Sequence, residues 1–325
     1  MKPVELPGGG LGRLSIYGVV NVLAMIGATE VLALTSFVIL GEGFAIATLE
    51  RLHASARAAS TEANARIVTA DNKVMGSGEL DGVVFSTTGL GVARQVVRDD
   101  GLRLGDVVMT TGTLGDHGLA LLTARHGLGL HGDLRSDAAP LNGLIALAMA
   151  VAPIHAMKDP TRGGLNGALT ELAEKARVGV QLTESAIPLS PAVRAASELL
   201  GMDPFAVANE GKALLGVAPE DADRILAVLQ SHPPLVLPAG RDSARRGDEE
   251  ERHQGDCARG AEGAEAGYGV LGAGAGSDRR GEWGGAFYRA AEADPACAFP
   301  EWTISRGPWE AGRRSGRREC VVSGG

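Results

Sequence analysis

Cysteine is nearly absent from this chain. Its 325 residues include three, Cys257, Cys297 and Cys320. All lie late and far apart, which excludes a paired-cysteine metal motif and a dense disulfide framework. Aromatic residues make up only 4%, so the core has to be aliphatic. Positive charge is also short, with a formal net charge of −8. A nucleic-acid partner needs a basic face, and none is visible up to position 240. No apolar run is long enough for a membrane. The longest, around GLIALAMAVAPI, falls short of the roughly 20 residues that a bilayer crossing takes. The opening MKPVELPGGG lacks the apolar centre of a signal peptide. These absences predict a cytoplasmic chain with neither membrane nor nucleic acid as partner.

What is present is a body of alternating strand and helix patterns, up to about Pro238. VLALTSFVIL, RIVTA and GVVFSTTGLGVA read as strands, and YGVVNVLAMIGATE and FAIATLERLHASARAA as helices. A polar crossing near Asp99 to Gly105 marks the best boundary, giving units at 1–100 and 101–240. In the second unit LSPAVRAASELLG carries a complete set of helix signals. Ser190 is the N-cap, Pro191 stands at the first helical position, and Gly201 ends the helix. EDADRILAVLQSH places Ala222, Ile225, Leu226 and Leu229 on one helical face. Residues 241–325 read differently. Lysine is absent there, Leu271 and Ile304 are the only residues of their types, and all three Trp appear. No helical or strand period survives, which predicts a disordered tail. Translation of a GC-rich segment out of frame is a further reading of it.

Several short stretches carry chemistry-bearing residues. In MKDPTRGGLNGALTELAEKA, the residues Leu165, Ala168, Leu169, Leu172 and Ala173 form an apolar helical stripe. Before it stand Asp159, Thr161, Arg162, Gly163 and Gly164. A helix N-terminus offers free N–H groups, glycines let a ligand approach the backbone, and Arg is a fork of donors for phosphate. The stretch reads equally as a phosphate cradle and as a capped loop without ligand. Asp71 and Lys73, in VTADNKV, read as a Mg²⁺ ligand and a phosphate contact just after a strand, or as a solvated turn. In ANEGKALLGV, Asn209, Glu210 and Lys212 precede a strand. Glu210 is a general base if partly buried, and otherwise an ordinary turn residue. In GTLGDHG, His117 is a capping residue or a ligand.

Taken in order, GVVNVLAMIGA, VTADNKV, GTLGDHG, KDPTRGGLNGALTELA, LSPAVRAASELLGMDP and ANEGK resemble the HypE family of hydrogenase expression/formation proteins, from about Gly18 to Pro233. That family belongs with aminoimidazole ribonucleotide synthetase, selenophosphate synthetase and thiamine-monophosphate kinase. The resemblance implies an α/β unit that pairs with its twin in a homodimer, followed by an α+β unit, with ATP and Mg²⁺ between them. It implies ATP-dependent dehydration of an S-carbamoyl cysteine to a thiocyanate, the source of the cyanide ligand in nickel–iron hydrogenase. It also implies the carbamoyltransferase HypF and the HypC–HypD complex as partners. Carried over by motif, Lys73 and Glu210 are the catalytic pair, and Asp71 and Asp159 face the metal. Asn21, Asp71, Lys73, Asp159, Thr161, Arg162, Gly163, Gly164 and Asn209 face the nucleotide.

The chain departs from the family pattern in four places. Val22 stands where the family has an Asp, and Ala70 where it has a Gly. The match begins almost at the first residue, so the family's Gly-rich loop and its metal-binding Asp are expected to be missing and the first unit truncated. The family ends at its reactive cysteine, whereas Cys320 precedes VVSGG, and the family role is not carried over to it. Two alternatives follow: an inactive remnant that still binds partners, and another ATP-using member of the superfamily.

Overall fold

The computed structural model describes residues 4–128 and 133–232, together with three short backbone strands at 269–271, 288–291 and 319–323. Two small strands open the chain, β1 (Glu5–Leu6) and β2 (Gly9–Gly10). Next come helix α1 (Leu11–Met25), strand β3 (Glu30–Gly41), helix α2 (Ile46–Glu62), and strands β4 (Ile67–Met75) and β5 (Val83–Val92). Strand β3 is central, parallel to β4 and antiparallel to β5. Its residues Leu34, Ser36, Val38 and Leu40 point inward and are buried. Helices α1 and α2 cover that face, with Ile16, Tyr17, Val20, Ala56 and Ala59 packed on Leu34. The opposite face is open among the described residues and mixes apolar with polar side chains, Ser86 and Thr88 among the latter. Phe37, Val84, Leu90 and Val92 stand on it, each at least 38% exposed.

A second sheet follows. Strand β6 (Val107–Thr110) leads to helices α3 (Asp116–His126) and α4 (Asn142–Val151) and to strand β7 (Ala156–Lys158). Helix α5 (Gly164–Ala176), strand β8 (Gly179–Thr183), helix α6 (Pro191–Leu200), strand β9 (Leu214–Val217) and helix α7 (Pro219–Ser231) complete the body. Strand β9 lies between β6 and β7, antiparallel to both. Three later strands join this sheet through their backbones: β10 (Gly269–Leu271) on β6, β11 (Tyr288–Ala291) between β6 and β8, and β12 (Glu319–Ser323) on β8. These three strands fall within the tail expected to lack order. The rest of that tail, with the reading that it is out of frame, lies outside the described residues.

The sequence reasons for these elements hold locally. The five residues of the α5 stripe are all buried, in one cluster with Val108, Val180 and Leu214. Burying a Leu is worth about 2 kcal/mol, so the stripe anchors the loop ahead of it. The Ser190 hydroxyl accepts the Val193 N–H at 3.2 Å, and Gly201 ends α6 in the left-handed conformation. The two sheets share packing, since Ala24, Met25 and Val97 lie in one core with α4 and α7 residues.

Candidate functional site

The site is built around the turn that carries Asn209, Glu210 and Gly211, just before β9. Asn209 is 1% exposed. Its side-chain oxygen accepts the Gly115 N–H at 2.8 Å, and its amide donates to the carbonyls of Pro160 and Val207, both at 3.1 Å. One side chain thus ties together the loop before α3, the loop before α5 and its own turn. Asn21 of α1, also buried, does the same from the other side. Its amide donates to the carbonyls of Ala139 at 3.0 Å and Glu210 at 2.9 Å, and its oxygen accepts the Leu141 N–H at 2.8 Å. Both asparagines were expected to face nucleotide. Their donors are committed to backbone instead, because buried carbonyls without partners are costly.

Glu210 emerges from this frame with its side chain 25% exposed. Its N–H donates to Asp137 Oδ1 at 3.0 Å. Burial first, and then the charges of Asp137 and Asp159, push its carboxyl up to about 7. His117 Nε2 lies 4.0 Å from Glu210 Oε1, and His117 Nδ1 lies 2.8 Å from Ser136 Oγ. Burial drives the His117 pKa down, with Asp137 partly opposing. Asp116, at the start of α3, accepts from the Thr113 and Ser190 hydroxyls at 2.8 and 3.0 Å. Burial nevertheless raises its pKa. Lys212 Nζ stands 3.7 Å from Asp137 Oδ2 and is the cation of the cluster.

The loop before α5 meets the cluster through Asp159. Arg162 and Gly163 are exposed at its tip, and no side chain caps the helix. Gly164 does not open space for a ligand, contrary to expectation. A Cβ there would lie 2.5 Å from the Phe205 carbonyl oxygen and 2.6 Å from that of Val207. Its bareness lets α5 press against the 204–207 segment. Thr161 contributes its carbonyl to the Gly164 N–H at 3.2 Å.

Asp71 and Lys73 lie within β4, not after it, paired with Phe37 and Ile39 of β3. Period-two geometry sets them on the open face of the first sheet. Among the described residues neither is ion-paired, and no hydrogen bond links either to the Glu210 cluster. Among the described residues, too, no three His, Cys, Asp or Glu side chains gather as a metal site. Val22 is 59% exposed on α1. Cys320 lies in β12, its backbone paired with Leu182.

Asp137 is the residue that motif reading passed over. It sits in RSDAAP, with no spacing signal around it. Only the closeness of Gly211 betrays it, since a Cβ there would be 2.0 Å from the Asp137 carbonyl oxygen.

With this geometry in hand, known proteins can be set beside the chain. Residues 103–236 match the family described as AIR synthase related protein, C-terminal domain. Carbamoyl dehydratase HypE of Rhizobium leguminosarum bv. viciae is 46% identical over 237 residues, 72% of this chain and 67% of that protein. A solved HypE–HypF complex aligns with TM-score 0.70 at 37% identity, covering 72% of this chain and 77% of that one. HypE in complex with ATP aligns with TM-score 0.69 at 39% identity, covering 72% and 70%. Among the described residues no helix is long and apolar enough to cross a membrane. On this identity and coverage the chain belongs to the HypE family of hydrogenase expression/formation proteins, and it has their aminoimidazole ribonucleotide synthetase-like fold.

Proposed function

We propose that the chain serves nickel–iron hydrogenase maturation by using ATP to dehydrate an S-carbamoyl cysteine to a thiocyanate. A relative carries the name carbamoyl dehydratase, and a solved relative is described as a complex with ATP. The observation that carries the reading is the Glu210 carboxyl, held in a tied turn with its pKa near 7. A base serves best when its pKa lies near the working pH. The carbamoyl group, a primary amide joined through its carbonyl carbon to sulfur, must lose its oxygen and both nitrogen protons to become a thiocyanate. ATP supplies the phosphoryl group with which that oxygen departs as phosphate. Glu210 accepts one proton from the nitrogen as the oxygen is phosphorylated, the second leaves with the phosphate as hydrogen phosphate, and Lys73 offers positive charge to the oxygen.

The residues present suit ATP and Mg²⁺. Arg162 and the uncapped N–H groups of α5 are donors for phosphate. Asp71 is the carboxylate for Mg²⁺, which commonly takes one or two carboxylates and completes its shell with phosphate oxygens and water. Asp159 faces Glu210 and supports its basicity. A second copy of the chain covers the open sheet face that carries Asp71 and Lys73. HypF, which a solved relative is described as binding, is the carbamoyl donor, the HypC–HypD complex is the acceptor, and the work is done in the cytoplasm. The unit boundary falls between β5 and β6.

Val22 favours a second reading. A valine cannot ligate a metal where the family pattern has Asp, so the chain binds HypF without turnover. Phosphate release from ATP with Mg²⁺ and carbamoyl-loaded HypF separates the two. The first reading expects release that depends on HypF and is lost in Glu210→Ala. Retained HypF binding with no release in the parent chain establishes the second.

A further inference from the structure

We infer that Asp137 is the positioning residue of the Glu210 base, locking its turn through one carboxylate oxygen and facing it with a buried charge through the other. The inference rests on the dehydratase reading above.

The two oxygens of Asp137 have different surroundings. Oδ1 accepts the Glu210 N–H at 3.0 Å. Gly211 brings the turn hard against the 137–139 segment, since a Cβ there would lie 2.7 Å from the Ala139 N. Asn21 closes the other side by donating to the carbonyls of Ala139 and Glu210. The Glu210 peptide groups are therefore held at both ends, and the carboxyl leaves the turn in a fixed direction. Oδ2 is buried without a hydrogen bond, on a side chain only 3% exposed. Lys212 Nζ, at 3.7 Å, offers counter-charge beyond hydrogen-bond reach.

A residue needed only as a clamp would use one acceptor. Asn would fill that role without placing a second charged oxygen where water cannot reach it. A buried polar atom left unpaired at such a site calls for an explanation, and perturbed charges cluster where chemistry is done. The titratable groups around Glu210 are Asp137, Asp159 of the loop after β7, Asp116 and His117 of α3, and Lys212. Of these, Asp137 and Asp159 hold the Glu210 proton more tightly. Asp137 alone also fixes the backbone of the residue it acts on.

The test is Asp137→Asn, which keeps an acceptor for the Glu210 N–H and removes the charge. In HypF-dependent phosphate release across neutral pH, the rising limb should move about one unit lower. The kcat at the plateau should fall about threefold, with KM for ATP unchanged, because a weaker base takes the proton. Asp137→Ala, which frees the turn as well, should fall further. A wild-type pH profile in Asp137→Asn would overturn the inference. Carbon NMR of glutamate-labelled chain, assigned with Glu210→Gln, reads the same charge without turnover. There the Glu210 midpoint should drop in Asp137→Asn, and an unmoved midpoint also overturns the inference. A midpoint that drops in a chain with no turnover keeps the coupling and removes the dehydratase reading.

Discussion

At the scale of single residues, Glu210 has a cost that stability measurements can read. Its carboxyl sits at about 7 in the folded chain, against about 4.3 for an unfolded glutamate. An acid with a raised folded pKa favours the folded state fully below the unfolded value. That favour is lost as pH rises through the folded value. Above neutrality the chain therefore holds an ionised glutamate beside Asp137 and Asp159. Glu210→Gln removes the charge and keeps the shape. It should stabilise the ligand-free chain by about 2 kcal/mol at mildly alkaline pH, with the gain shrinking toward about pH 4. Thermal unfolding at both pH values checks this. A variant less stable than the parent above neutrality would contradict the burial account. Functional sites commonly carry such costs, and residues that relieve them lose activity.

At the scale of elements, α1 joins the two units through Asn21. Asn21→Asp keeps the acceptor for Leu141 and deletes both donors, leaving the carbonyls of Ala139 and Glu210 unpaired and an added charge buried. The expected loss is about 2–4 kcal/mol in denaturant unfolding, together with weaker ATP binding by calorimetry. A variant that binds ATP normally with unchanged stability would show that the lock is dispensable. Most elements were legible because they obey local rules. The α5 stripe and the cap residues Ser190, Pro191 and Gly201 are each a signal contained in a few neighbours. Strand β4 was legible only in part. Its DNK segment reads as a turn because polar residues fill it, yet β3 supplies the ladder partners from outside that segment. Of the site, Glu210 was visible through its motif, while Asp137 was not. Its role depends on Gly211 and Asn21, both distant in sequence, and no spacing rule joins the three. The structural tasks of Asn209 and Gly164 were hidden for the same reason: each contacts loops that only the tertiary fold brings near.

At the scale of the molecule, the first sheet is finished on one face only. Helices α1 and α2 cover the inward residues of β3, while Phe37, Val84, Leu90 and Val92 stand open. Strand β5, VVFSTTGLGV, carries apolar residues on both faces, the pattern of a strand covered on both sides. Several large apolar side chains left exposed on one sheet face suit an interaction surface. The second copy proposed above would cover it without further parts, since a two-fold contact uses one patch twice. The pairing would also bring Asp71 and Lys73 beside the partner's surface and out of free solvent. The double substitution Phe37→Glu with Leu90→Glu sets charges at the middle of the face and leaves the inward core of β3 untouched. In light scattering the parent chain should run at twice the chain mass and the variant at the single mass, with unchanged circular dichroism. The variant should also bind ATP more weakly, because Asp71 and Lys73 then lie on an uncovered surface. A parent chain at single mass at micromolar concentration would remove the second copy from the account. A variant that stays dimeric would move the contact elsewhere, and Asp71 and Lys73 would then need a different cover.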